Sequence, residues 1–229
     1  EVTLSNDFEI MQYEVTQAQY LAVMKPSSHS FSHTCGTCPA DNVTWHQAVA
    51  FCNKLTPTGT SSCYSCTSGS SPTCQVKMAY SGSSTFYTCP GVRLPTEAEF
   101  EYALRAGTTT MVYTGTITNY SGYDAVLDKI AWYKYNASST RPVGGKAPNA
   151  WGLYDMIGNI NEWCQDYYLG FSSVAVTNPV LLDKSKVKRV VKVGDWDLPA
   201  YRHRAANRAQ RTRTTASNYE GFRCARILP

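Results

Sequence analysis

The sequence predicts an α+β domain in which two main helices pack on a small, irregular antiparallel sheet, with much of the chain in loops. Two observations predict it. Three helix starts with a common signature fall in the first half. After Gly107 the helical period gives way to short segments separated by Gly, Asn and Pro.

The helix starts are "TQAQYLAVM", "TWHQAVAFCNKL" and "TEAEFEYALRAG". Thr16, Thr44 and Thr96 stand as N-caps with Gln19, Gln47 and Glu99 three residues on, a capping box in each case. Pro26, Pro57 and Gly107 are expected to stop the three helices. The second helix carries Trp45, Ala48, Val49, Cys52 and Leu55 at helical spacing, which predicts one buried face. Residues 56–75, "TPTGTSSCYSCTSGSSPTCQ", read as a long loop tied down by cysteines. "MVYTG" and "KIAWYKYN" read as short strands. "VKRVVKV" (187–193) alternates apolar and basic residues and predicts a strand with one solvated face, and "GFRCARIL" reads the same way. No internal repeat is visible.

A chain of 229 residues, 43% apolar and 17% charged, can bury a substantial core, and a single domain over 1–229 is expected. The formal charge of +4 is too weak to argue for nucleic acid. No apolar run approaches the ~18–20 residues of a membrane helix. The chain opens abruptly on "EVTLSNDF", so any export signal or lipid anchor would lie upstream of it.

Nine cysteines suit an oxidising compartment, and an odd total leaves at least one thiol without an intrachain partner. Cys35, Cys38, Cys63, Cys66, Cys74 and Cys89 lie in Ser/Thr/Gly-rich sequence and predict stapled loops of undetermined connectivity. "CGTC" and "CYSC" are also C-x2-C knuckles of a zinc ribbon, although the 24 residues between them exceed the usual spacing.

Five blocks in order, "YEVTQAQY", "VTWHQAVAFCNKL", "RLPTEAEFEYALRAG", "PVGGKAPNAWGLYDMIGNINEWCQDYY" and "GFRCAR", resemble the formylglycine-generating-enzyme (sulfatase-modifying factor) family from Glu1 to Arg226. The resemblance implies a C-type-lectin-like fold. The glycine-methionine stretch usual before "EVTLS" is missing, so residues are expected to precede Glu1. The family's oxidases hold copper through a C-terminal cysteine pair, since soft thiolates suit Cu(I). By the family's register the second of these cysteines falls on Ala200 and the first within Asp195 to Leu198. No thiol stands in either place, so the resemblance implies a noncatalytic member. It further implies a disulfide between Cys52 and Cys224, and a second bridge lost as a unit at Leu104 and Ala205. It implies calcium held by Glu162 with the carbonyls of Ile157, Gly158 and Ile160, against a Glu162 that hydrogen-bonds a buried loop. No other cofactor is expected. Trp151, Tyr154 and Trp163 read as core.

Residues 193–223, "VGDWDLPAYRHRAANRAQRTRTTASNYEGFR", resemble the segment that diversity-generating retroelements rewrite in variable proteins of this fold. Adenine-directed change yields residues such as Asn, Asp, Ser, Thr, Tyr, His and Arg. On that resemblance Trp196, Gln210, Arg204, Arg208 and Arg223 are fixed scaffold. Asp195, Asp197, Leu198, Pro199, Tyr201, His203, Arg211, Thr212, Arg213, Thr214 and Tyr219 are diversified contact positions. Tyr201, Tyr219 and Trp196 would be rigid anchors, Arg211 and Arg213 donor forks, and His203 a further donor. Read as a strand, "AYRHRAA" turns Tyr201 and His203 outward and Arg204 and Arg208 inward.

These readings lead to a surface-displayed or secreted protein that binds a macromolecule, a protein of variable identity. Membrane attachment would lie outside this chain. The alternative is a metal-dependent oxidase or sulfoxide-forming enzyme of the same fold. His29, His33, His46 and His203 form no familiar metal spacing, and His46 reads as packing. Nucleic acid is disfavoured by the acids among the arginines.

Overall fold

Val190 and Val191 are neighbours in sequence, yet each enters a different core. A strand whose successive side chains both meet apolar layers must be covered on both faces. That arrangement organises the molecule. The computed structural model describes residues 1–25, 29–171 and 173–228, so Pro26, expected to stop the first helix, lies outside the described residues.

The elements in chain order are β1 (Val2–Thr3), β2 (Phe8–Ile10), α1 (Gln17–Met24), α2 (Trp45–Leu55), β3 (Tyr64–Cys66), β4 (Cys74–Val76), α3 (Ser83–Phe86), α4 (Glu97–Arg105), β5 (Asn161–Tyr167), β6 (Val176–Thr177), β7 (Lys188–Lys192), β8 (Arg208–Thr212), β9 (Glu220–Gly221) and β10 (Ala225–Ile227). The main sheet has the order β8-β7-β5-β9. β7 runs antiparallel to both β5 and β8, whereas β9 lies parallel to β5, so the sheet is mixed rather than wholly antiparallel. Two-stranded pairs join β1 to β6, β2 to β10 and β3 to β4.

All three capping boxes form. Thr16, Thr44 and Thr96 accept from the amides of Gln19, Gln47 and Glu99, whose side chains bond back to the cap amides. α2 ends at Thr56 just before Pro57. At the end of α4, Ala106 takes the left-handed cap and Gly107 follows at positive φ. Trp45, Ala48, Val49 and Cys52 are buried as the α2 pattern predicts, but Leu55 is 37% exposed, because it sits on the last turn beyond the core.

One core gathers Trp45, Phe51, Trp163, Val191 and Phe222 between α2 and the sheet. The other gathers Phe100, Leu104, Tyr133, Met156, Val190 and Ala205 on the α4 side. The indoles cross-link the layers: Trp45 Nε1 donates to Cys164 O (3.1 Å) and Trp163 Nε1 to Val43 O (2.9 Å). Tyr154 is half-buried, but Trp151, expected in the core, is 48% exposed and lies against Tyr102 on the outer side of α4.

The solvated face expected for residues 187–193 is confined to Val187 and Lys188 at its start. Arg189 is 3% exposed and Lys192 0%. Arg189 lies 3.9 Å over Trp45 and 3.4 Å over Tyr167, and Lys192 reaches Glu101 (3.1 Å) and Ala205 O (3.1 Å). Arg189 and Lys192 are sandwiched rather than solvated, because a helix covers each face of the sheet, and Lys188 at the start of the strand is exposed. "MVYTG" and "KIAWYKYN" are not strands either. The first closes only the tight bridge Val112–Gly115, and the second runs from a 3-10 turn at Leu127–Lys129 into irregular turns.

The cysteine-rich loop is stapled. Cys63–Cys89 and Cys66–Cys74 close it, with Cys66–Cys74 directly across the β3–β4 pair, and Cys35–Cys38 closes a short turn before α2. All four knuckle cysteines are therefore spent in disulfides, and a zinc ribbon is not formed. The pairing of Cys52 with Cys224 is not formed either. Both are buried thiols in contact with each other, and Cys164 is a separate buried thiol in the second core. Cys52 and Cys224 sit inside the first core, where two unlinked sulfurs fill the space between α2 and the chain after β9 as apolar side chains would. Leu104 and Ala205 fill the second core with apolar side chains.

Gly158 fixes the turn that leads into β5. Its φ is +83°, and a Cβ would stand 2.6 Å from Trp132 O. Gly158→Ala combines left-handed strain with a backbone clash, so a loss of about 3 kcal/mol is expected in urea unfolding. A loss below about 1 kcal/mol would show that the turn adapts freely.

Candidate ligand-binding surface

The segment after β7 begins with two residues at positive φ, Val193 and Gly194. This kink turns the chain out of the sheet and presents residues 196–199 at its end. Two of the expected contact residues are in fact its internal support. Asp195 is buried; its carboxylate accepts from Asn161 Nδ2 (2.6 Å) and from the Asp197 amide (3.0 Å). Burial pushes its carboxyl up to about 6 despite those bonds.

His203 is 0% exposed, which overturns its expected outward orientation. Pro199 opens a 3-10 turn over Ala200–His203, so "AYRHRAA" is not a strand and the alternation fails. The turn carries the imidazole inward, against Gly194 and edge-on to Tyr133. Its Nδ1 and Nε2 face Pro199 O (3.1 Å) and Asp195 O (3.2 Å), and burial pulls its pKa down to about 4. Tyr201, on the same turn, is 39% exposed, as expected.

The arginines divide similarly. Arg208 does turn inward. It donates to Leu169 O and Glu97 Oε2, both at 2.6 Å, between the rings of Tyr168 and Phe171. Arg204 does not; it is exposed, and among the described residues its side chain bonds Tyr201 O alone, because the 3-10 turn reverses its direction. Arg211 donates to the buried Glu220 (2.6 Å), which also accepts from Ser217. Arg213 donates to Tyr167 OH (3.3 Å) on the far side of β8. Ala200, where the family's second copper cysteine would fall, is buried in the second core.

What remains outside forms one patch, with Tyr201, Thr212, Arg213 and Thr214 apart from it. Trp196 and Tyr219 stack at 5.4 Å with an interplanar angle of 28°. Trp196 Nε1 donates to Asn218 O (3.3 Å), and Tyr219 OH reaches Asp197 (3.5 Å). Asp197 is exposed beside them, and Leu198 and Pro199 are half-exposed. Arg211 joins through Glu220 and Ser217. Tyr201 stands apart, its amide on Tyr120 O, and Arg213 opens on a separate cavity. Thr212 and Thr214 lie at the end of β8, half-buried and exposed respectively. The backbone beneath the patch is tied at several points, among them Trp196 N to Asn159 O and Asn42 N to Ser217 O. Sequence reasoning missed Asn161, Asn218 and Glu220, which hold this surface from below; only Glu220, an acid among arginines, left a signal.

The calcium ligand set does not fit. Both carboxylate oxygens of Glu162 accept from Arg223 at 2.7–3.0 Å, and Gly158 O accepts from the Ile160 amide. A buried guanidinium on the only side-chain ligand opposes a divalent cation there. The Glu162 hydrogen bond to a buried loop, weighed beside calcium, is the arrangement found. Among the described residues, His33, Cys35 and Cys38 bring metal-ligating atoms within 4.8 Å, but the two sulfurs are bonded to each other. His46 packs as expected, accepting from the Cys74 amide at 3.1 Å.

Comparison with known proteins agrees with this architecture. "Treponema denticola variable protein 1" superposes with a TM-score of 0.79 at 30% identity, covering 99% of this chain and 86% of that one. The "Chaperone protein LppX" of Paenibacillus barcinonensis is 32% identical over 189 residues, 73% of this chain and 64% of its own length. The "Formylglycine-generating enzyme" of Mycobacterium tuberculosis is 34% identical over 169 residues, 65% of this chain and 56% of its own. The chain thus spans under two thirds of these two relatives. The family model for the sulfatase-modifying factor enzyme 1-like domain matches residues 1–228, and with the loop-rich C-type-lectin-like fold this places the chain in that family.

Proposed function

We propose that this protein is a noncatalytic binding protein, displayed at the cell surface or secreted, whose C-terminal face is diversified by a retroelement to recognise varied macromolecular ligands, chiefly proteins. The observation that carries the reading is the stacked Trp196–Tyr219 pair, rimmed by Asp197, Leu198 and Pro199, on a segment whose backbone is pinned from beneath. Paired aromatic rings provide contact area at low rotamer cost, and exposed Asp, Thr and Arg side chains supply adaptable polar contacts. The Treponema variable protein of the same fold supports the role, and the three disulfides support an oxidising compartment.

The revised set of exchangeable positions is Asp197, Leu198, Pro199, Tyr201, Arg211, Thr212, Arg213, Thr214 and Tyr219, with Trp196 fixed. Asp195 and His203 leave the set because their side chains hold the turn. Sibling genes, or a template repeat beside a reverse transcriptase, should differ at these positions and keep residues 195 and 203 within a narrow choice. Changes spread evenly over the domain would contradict diversification. Copper or iron bound at one equivalent after gentle purification, with oxidation of a cysteine-bearing peptide, would instead favour the enzymatic alternative.

A further inference from the structure

β7 and the chain after β8 place positive charge around one small cavity without a carboxylate in its lining. The cavity measures about 230 Å³, and Arg189, Arg213, Lys184, Tyr167, Ser81 and Gln75 supply its polar wall. Arg189 is the core of the site. It is buried, its Nη1 donates to Gln165 O at 2.5 Å, and its Nε has no hydrogen-bond partner among the described residues. Neither Arg189, Arg213 nor Lys184 takes part in an ion pair among the described residues, whereas most other buried cations of this protein do. Asp166 lies behind Arg189, but both of its oxygens accept backbone amides, from Glu97 and Leu181, and burial raises its pKa to about 7.

A buried guanidinium without a counter-charge is costly unless a ligand supplies one. The surroundings register the excess: burial, with a small contribution from Arg213, lowers the pKa of Arg189 to about 10 although Tyr167, Tyr64 and Asp166 act the other way, and burial with both arginines lowers that of His46 to about 4. We infer that this cavity binds a tetrahedral oxyanion, a sulfuryl or phosphoryl group, held by Arg189, Arg213 and Lys184 with Tyr167, Ser81 and Gln75 available as neutral partners. Three cations match a dianion better than a single carboxylate, and planar guanidinium forks fit adjacent oxygens of such a group. The volume lies below the ~300–1,000 Å³ of clefts for whole ligands, so the cavity takes one group rather than a molecule. The inference does not rest on the diversified face, since Arg189 and Lys184 lie outside it; Arg213 links the two.

Calorimetric titration at pH 7 and constant ionic strength tests it, with sodium sulfate, inorganic phosphate, phenyl sulfate and acetate as probes. One saturable site is expected, at least about tenfold tighter for sulfate or phosphate than for acetate. Arg213→Ala and Lys184→Ala, both near the surface, should each weaken it about tenfold while the far-ultraviolet spectrum stays unchanged. The His46 ring, followed by NMR, should titrate at higher pH when the site is filled. Phenyl sulfate binding as tightly as sulfate identifies an esterified group as the source; preference for the inorganic ions identifies the free ion. Absence of saturable binding, equal affinity for acetate, or binding undiminished in both variants overturns the inference.

Discussion

Arg223→Met should destabilise the protein by about 3–5 kcal/mol, more than any single change on the exposed face. Arg223 is fully buried, and its guanidinium donates to both oxygens of Glu162, to Met11 O and Gln12 O at 3.2 Å, and to Tyr154 O and Asp155 O at 3.0 and 3.3 Å. One side chain thus joins the segment after β2, the loop before β5, β5 itself and the chain between β9 and β10. Methionine would fill much of the volume but leave the Glu162 carboxylate buried without its cation, and several carbonyls unpaired. Adding Glu162→Gln should recover part of the loss, since the orphaned charge is then gone. Urea unfolding of the two single variants and the double variant measures this. An Arg223→Met loss under about 1 kcal/mol would mean that the hub carries little of the fold's stability.

His203→Ala is expected to cost about 3 kcal/mol at pH 7, because it opens a cavity at the second core and removes the single ring N–H, which donates to the carbonyl of either Pro199 or Asp195 according to the tautomer. The effect should depend on pH with a defined sign. The folded-state pKa near 4 lies below the ordinary 6.5, so the unfolded chain binds more protons between those values. The neutral ring's contribution is complete above about pH 6.5 and fades as pH falls through 4. The gap between wild type and His203→Ala should therefore shrink from pH 7 to pH 4. Asp195 works in the opposite direction. Its folded pKa near 6 is raised from 3.8, so its contribution is present below 3.8 and lost as pH rises through 6. Asp195→Asn should accordingly flatten that part of the wild-type profile. A gap for His203→Ala that widens in acid would contradict a buried neutral imidazole.

The helices were legible in the sequence because their signals are local: a Thr and a Gln or Glu three residues apart determine a cap whatever lies around them. The faces of β7 were not. Alternation in "VKRVVKV" tells which side chains share a face, but not that Trp45 and Tyr167 cover one face while Glu101 and the second core cover the other. His203 failed for a related reason. Residue type placed it among contact residues, and the one local clue to its burial was Pro199, which starts the 3-10 turn that swings it inward. Arg208 came out as expected and Arg204 did not, since Arg204 caps the end of that turn whereas Arg208 begins β8. The family resemblance implied a Cys52–Cys224 disulfide; the fold brings the two sulfurs into contact but leaves them as free thiols. The oxyanion cavity had no sequence signal, because Lys184, Arg189 and Arg213 meet only through strand pairing and the loop before β7.

On the proposed function the outward side chains are interchangeable while the support beneath them is not. Thermal unfolding of a panel in which Asp197, Leu198, Pro199, Tyr201, Thr214 and Tyr219 are exchanged together for other small polar or aromatic residues tests it most directly. The expected result is a melting temperature within a few degrees of wild type for most members, equivalent to about 1 kcal/mol or less, beside losses several times larger for His203→Ala and Arg223→Met. If the exchanged panel unfolds as readily as those two variants, the surface is part of the structure and not a face free to vary.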